Sequence, residues 1–152
     1  MATTVQKTPR GVRLEQNGCV LSEMLAQPGP THSIFDVLAA AVCLFSPGDQ
    51  VAMLGFAGGG TLAPLRKLGG THRIHGVDLA DEGHKQFLDL AGTWTGDVQF
   101  EKCDAADWLR RQEREFDTII EDITVPAEGD VVKPALCWEE LPTLMKSKVK
   151  PG

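Results

Sequence analysis

The sequence predicts an α/β domain built on a doubly wound parallel sheet, and three observations carry that prediction. Short apolar runs at residues 51–54, 73–77, 98–102 and 116–121 alternate with segments of helical periodicity, and strands separated by helices of this length pair in parallel. The first run leads into a glycine-rich turn, LGFAGGGT. Each later run is followed within two residues by an aspartate: Asp78, Asp104 and Asp122.

The elements follow in order. Residues 1–10 read as a loose polar tail, and residues 11–30 as a small β-hairpin segment, because Asn17-Gly18 sits between two short mixed runs and Asn-Gly suits a two-residue turn. Ser33 is placed to cap a helix in which Ile34, Leu38, Ala41 and Phe45 recur at helical spacing until SPG stops it. Residues 51–54 form a buried strand and 61–68 a helix that tolerates Pro64 in its first turn and ends at Gly69-Gly70. Helices over 81–91 and 106–114 follow the next two strands. After the fourth strand comes a loop of Pro, Gly and acids, then a last helix around 138–145. Residues 31–152 thus make one Rossmann-like cofactor-binding domain. The sequence closes on KVKPG, with Val149 at the approach to a fifth strand; a domain cut short before strand five, or finished by another chain, is expected. Ile119 and Ile120 would then lie on an open edge, which proteins normally cover.

Composition narrows the function classes. With 152 residues, 42% hydrophobic and 24% charged, the chain can bury one core. A formal net charge of -6 disfavours nonspecific binding to nucleic acid or to an anionic membrane. Cys19, Cys43, Cys103 and Cys137 form no CxxC pair, which suits a reducing cytoplasm and predicts neither a zinc knot nor a disulfide framework. The apolar run 37–45 is too short to span a bilayer. His72, His75 and His84 lack ligand spacing, so no metal is expected. Ser22 beside Glu23, and Cys103 beside Asp104, have no histidine at a nucleophile-activating spacing; Cys103 reads as a buried thiol. Trp94 and Trp138 read as packing residues.

The glycine turn carries the functional signal. Asp78 falls 18 residues after Gly60, at the end of the next strand. Strand, glycine turn, helix, then a strand ending in an acid is the nucleotide half of a Rossmann-type crevice, with the acid placed to accept from ribose hydroxyls. In a parallel sheet Asp78, Asp104 and Asp122 share one edge, with Asp107 and Glu121 near in sequence and Arg66 and Lys67 as the nearest cations. Clustered carboxylates repel a pyrophosphate and attract a cation. Ala57, where a dinucleotide site needs its second glycine, also weighs against NAD. A cationic, phosphate-free adenosyl compound, S-adenosylmethionine, is the expected cofactor.

The segments VAMLGFAGGGTLAPLRKL, IHGVDLAD, VQFEKCDAADWL and FDTIIEDITVP, with the hairpin RLEQNGCVLSEML before them, resemble successive motifs of the spermidine synthase-like branch of class I S-adenosylmethionine-dependent transferases. The resemblance covers about residues 11–126. It implies a class I methyltransferase-like fold in which Gly55, Ala57, Gly58 and Gly60 belong to the loop beside the cofactor's amino-acid tail. It makes Asp78 the ribose ligand, sets Asp104 and Ala105 against the adenine, and gives Asp122 contact with the cofactor and the catalytic role on the attacking group. The polyamine-forming members carry aspartates where this chain has Gly58 and Val125, and a hairpin glutamine near Leu21. Methyl transfer to a small-molecule or otherwise unidentified acceptor is therefore the expected reaction, because a sulfonium is already activated and asks mainly for alignment. Aminopropyl transfer from the decarboxylated cofactor, and a catalytically silent adenosyl-binding or assembly module, are the alternatives. A homodimer is expected from the open edge and the resemblance.

Overall fold

The computed structural model describes residues 3–127 and 130–151. Nine strands and six helices run in the order β1 (Thr4–Thr8), β2 (Gly11–Gln16), β3 (Cys19–Leu25), α1 (Ile34–Phe45), β4 (Gln50–Leu54), α2 (Leu62–Lys67), β5 (Arg73–Asp78), α3 (Glu82–Leu90), β6 (Val98–Lys102), α4 (Ala105–Arg111), β7 (Thr118–Glu121), β8 (Val125–Ala127), β9 (Asp130–Val132), α5 (Leu136–Glu139) and α6 (Leu141–Lys148) among the described residues. They make an α/β structure: a four-stranded parallel sheet of order β6-β5-β4-β7 and a three-stranded antiparallel sheet of order β1-β2-β3, with β8 and β9 as a separate antiparallel pair.

Alternation along β4 decides what lies on each face, since neighbouring strand residues point to opposite sides. Val51 and Met53 join Ala39 and Val42 of α1, Leu62 and Leu65 of α2 and Phe87 of α3 in one buried cluster. Ala52 and Leu54 join Ala105, Trp108 and Leu109 of α4 and Leu141 of α6 in the other. The small sheet closes the first cluster with Val12, Leu14 and Met24. Gly76 in β5 leaves room for Phe56, whose ring would lie 2.3 Å from a Cβ at that position. Phe56 in turn meets Phe87 and Phe100 at ring separations of 5.9 and 5.6 Å.

Helix α1 begins as expected: Ser33 Oγ accepts from the Phe35 amide, and Asp36 takes the Thr31 and His32 amides. The Asn17-Gly18 turn joins β2 to β3 with φ values of 53° and 77°, the left-handed pair such a turn requires.

Several expectations need correction. Residues 4–8 of the expected loose tail pair with β2, Thr4 opposite Glu15 and Thr8 opposite Gly11; β1 is held by its backbone while its side chains stay largely in solvent, so no hydrophobic pattern marks it. The loop after β7 contains the β8–β9 pair. The single last helix is two, interrupted at Glu140 just before Pro142, where a proline removes an amide donor. Val149 does reach the sheet, as a single parallel bridge to Phe116 in which the Phe116 amide donates to Lys148 O and the Lys150 amide to Phe116 O. The edge position expected for Ile119 and Ile120 holds, since β7 ends the sheet order, while their half-buried side chains pack on opposite clusters. No helix of the described residues is long and apolar enough to cross a membrane.

Candidate active site

The strand order sets the location. Chain order runs outward from β4 to β5 and β6 on one side and to β7 on the other, so the connections leave β4 and β7 in opposite directions and open a crevice beyond their carboxyl ends. A cavity of about 430 Å³ occupies that crevice, within the range of small-molecule sites.

Its floor is backbone. Gly55 leaves β4 at φ 84°, and a Cβ there would fall 2.6 Å from Asp122 O; the close approach of the β4 and β7 exits demands glycine. The Gly55 and Phe56 amides donate to Val77 O, and the Asp122 amide to Leu54 O. Ala57 adopts φ 46°, and its amide donates to Asp78 Oδ2 at 2.7 Å while the Ala80 amide reaches Asp78 Oδ1 at 3.0 Å. Each Asp78 oxygen therefore accepts one amide and keeps a lone pair free for a ligand hydroxyl.

Asp104 caps α4: its Oδ1 accepts the Ala106 and Asp107 amides at 2.9 and 3.0 Å. Its Oδ2 has no hydrogen-bond partner among the described residues, so capping and ligand contact are compatible in one side chain. The Asp122 carboxylate likewise has no hydrogen bond among the described residues, and burial pushes its pKa up, against the pull of Lys133 and with the push of Glu121. Glu121 points elsewhere. Its Oε1 accepts the Ile123 amide, Lys133 Nζ at 2.8 Å and the Cys137 thiol at 3.4 Å. Burial, then this contact with Glu121, drives the Cys137 thiol up to about 11, which leaves it unreactive.

Of the residues expected from sequence, Gly55, Ala57, Asp78, Asp104, Ala105 and Asp122 meet on this cavity. Gly58 and Gly60 do not. A Cβ on Gly58 would lie 2.4 Å from Met24 Sδ, and one on Gly60 would lie 2.9 Å from the Phe35 ring; these two glycines let the turn pack on the small sheet and on α1. Arg66 is also remote, since its guanidinium donates to Thr95 O, Gly70 O and His72 O. Cys103, expected as a buried thiol, is half-exposed on the cavity wall and accepts from Arg111. Trp138 is exposed and, like Trp94, lies off the cavity. His75 packs on Phe116, and His84 stacks on Phe100 at 4.1 Å.

Sequence reasoning missed the apolar wall. Leu14, Val20 and Leu21 of the small sheet and Val125, Pro126 and Val131 of the β8–β9 pair face the cavity. The resemblance places Leu21 and Val125 at substrate positions, and alternation in β2 could have shown Leu14; nothing local marked Val20, Pro126 and Val131, which meet only through the fold. Four carboxylates line the cavity, Asp78, Glu82, Asp104 and Asp122, and among the described residues no lysine, arginine or histidine does. A scan of the chain against protein-family models and a search of curated proteins each return no match.

Proposed function

We propose that the chain is a class I methyltransferase-like, Rossmann-type domain that binds S-adenosylmethionine and transfers its methyl group to an acceptor. The observation that carries this reading is the charge of the cavity: four carboxylates and, among the described residues, no cation, at the crevice where the strand order reverses. A pyrophosphate there would meet uncompensated negative charge in a partly enclosed space. A ligand with a ribose at one end and a cation near the other fits the same residues.

Asp78 has the free acceptor capacity that a ribose diol uses, and the Ala57 amide holds its carboxylate in place. Asp104 Oδ2 would accept from an adenine amino group, with Ala105 beside it on the cavity. Asp122, two strands away from Asp78 and so about 10 Å across the sheet, supplies negative charge at the far end. The bound cofactor would supply an activated methyl carbon. Asp122 would orient the acceptor and take up its proton, a task helped by the upward shift of its pKa. Leu21 and Val125 present hydrocarbon to the cavity at the reacting end.

Aminopropyl transfer to a polyamine is disfavoured by these residues. Leu21 and Val125 present hydrocarbon to the cavity, and Met24 fills the space that a side chain at position 58 would need. Isothermal titration with S-adenosylmethionine and S-adenosylhomocysteine tests the proposal. Binding of both is expected, with Asp78→Ala weakening each by at least about tenfold, as for loss of a charged hydrogen-bond acceptor. Absence of binding by either compound would overturn it.

A further inference from the structure

The inference rests on the adenosyl reading of the cavity and concerns the end nearest β7. The carboxylates Asp78, Glu82 and Asp104 belong to the β5 and β6 side. At the β7 side Asp122 is, of the described residues, the one carboxylate, with Thr124 beside it, among Val20, Leu21, Val125, Pro126 and Val131. Glu121 presents no second carboxylate to the cavity, because it lies off the lining and pairs with Lys133 Nζ at 2.8 Å. Position 58 adds none either, being closed by Met24.

We propose that this end holds a hydrophobic monoamine: one ammonium group on Asp122, and an apolar body against the Leu21 and Val125 walls. A diamine or triamine would set its second cation beside hydrocarbon with no second carboxylate among the described residues on that side to pair it, and burying an unpaired charge is costly. A neutral alcohol of the same shape would cover Asp122 and leave its charge unpaired. One ammonium satisfies Asp122, and one apolar chain matches the wall.

The experiment is calorimetric titration of the whole chain with n-hexylamine, putrescine and 1-hexanol, each with and without saturating S-adenosylhomocysteine. Hexylamine is expected to bind at least about tenfold more tightly than the other two. Asp122→Asn is expected to weaken hexylamine by about tenfold or more while changing S-adenosylhomocysteine, which has no sulfonium, by less than about threefold. Val125→Asp, a change at a partly exposed site, is expected to shift the preference toward putrescine. Equal or tighter binding of putrescine or hexanol, indifference to Asp122→Asn, or no hexylamine binding at all would overturn the proposal. Failure of S-adenosylhomocysteine alone, with the monoamine preference intact, would remove the adenosyl reading and leave this one standing.

Discussion

Asp122 lies on the cavity at a cost to the fold. Its carboxylate is half-buried with no hydrogen bond among the described residues, and its folded pKa is raised. A carboxyl with a raised folded pKa is protonated more readily in the native state. Its presence therefore weakens folding above its folded pKa, and the penalty fades as pH falls through that raised value and is gone below the ordinary carboxylate range. Asp122→Asn is expected to raise Tm by about 2 °C at pH 7, with the gain shrinking toward pH 3; scanning calorimetry across pH checks it, and an unchanged or lower Tm at pH 7 would show the charge to be compensated. Gly55 is the opposite case. Its φ of 84° and the 2.6 Å approach to Asp122 O mean that Gly55→Ala should cost about 2 kcal/mol in urea unfolding. The three aspartates were legible from sequence because each follows a strand, and strand ends share an edge. The roles of Gly58 and Gly60 were not, because a missing Cβ looks the same whether ligand or core takes its place; Met24 and Phe35, distant in sequence, decide it.

Among the elements, those with an apolar face were readable and those held by backbone or by charge were not. Helix α1 and strands β4, β5 and β6 carry their own periodicity, whereas β1 and the β8–β9 pair depend on partners. The junction of β4, β7 and the last residues is a case of charge holding elements together. Asp117 accepts the Gln50 amide at 2.9 Å and Lys150 Nζ at 2.8 Å, so one carboxylate ties the start of β4 to the residues beyond α6. The Lys150 contact, then the Gln50 amide, lowers its pKa. A depressed folded pKa contributes stability that is present above the ordinary carboxylate range and lost as pH falls through the depressed value. Asp117→Ala should destabilise by about 2 kcal/mol at pH 7, and the difference from the parent protein should narrow in strong acid. A constant difference across pH would assign the effect to packing instead.

For the whole molecule, the sheet gathers charge that the sequence spreads over forty-odd residues. Asp78, Glu82, Asp104 and Asp122 meet on one cavity only because β5, β6 and β7 end on the same edge, and the formal net charge of -6 adds a field of the same sign at longer range. The long-range part is screened within about 8 Å at physiological ionic strength, whereas the part inside the cavity is screened much less. Under the proposed function the two adenosyl compounds separate these terms, since S-adenosylmethionine carries a sulfonium that S-adenosylhomocysteine lacks. S-adenosylmethionine should stabilise the protein more at equal concentration, and raising salt from about 50 mM to about 500 mM should reduce its advantage only in part. Thermal unfolding with each compound at both salt levels measures the remainder. An advantage abolished by salt would assign the preference to the diffuse field of the surface, and an advantage that survives would assign it to carboxylates facing the sulfonium at close range.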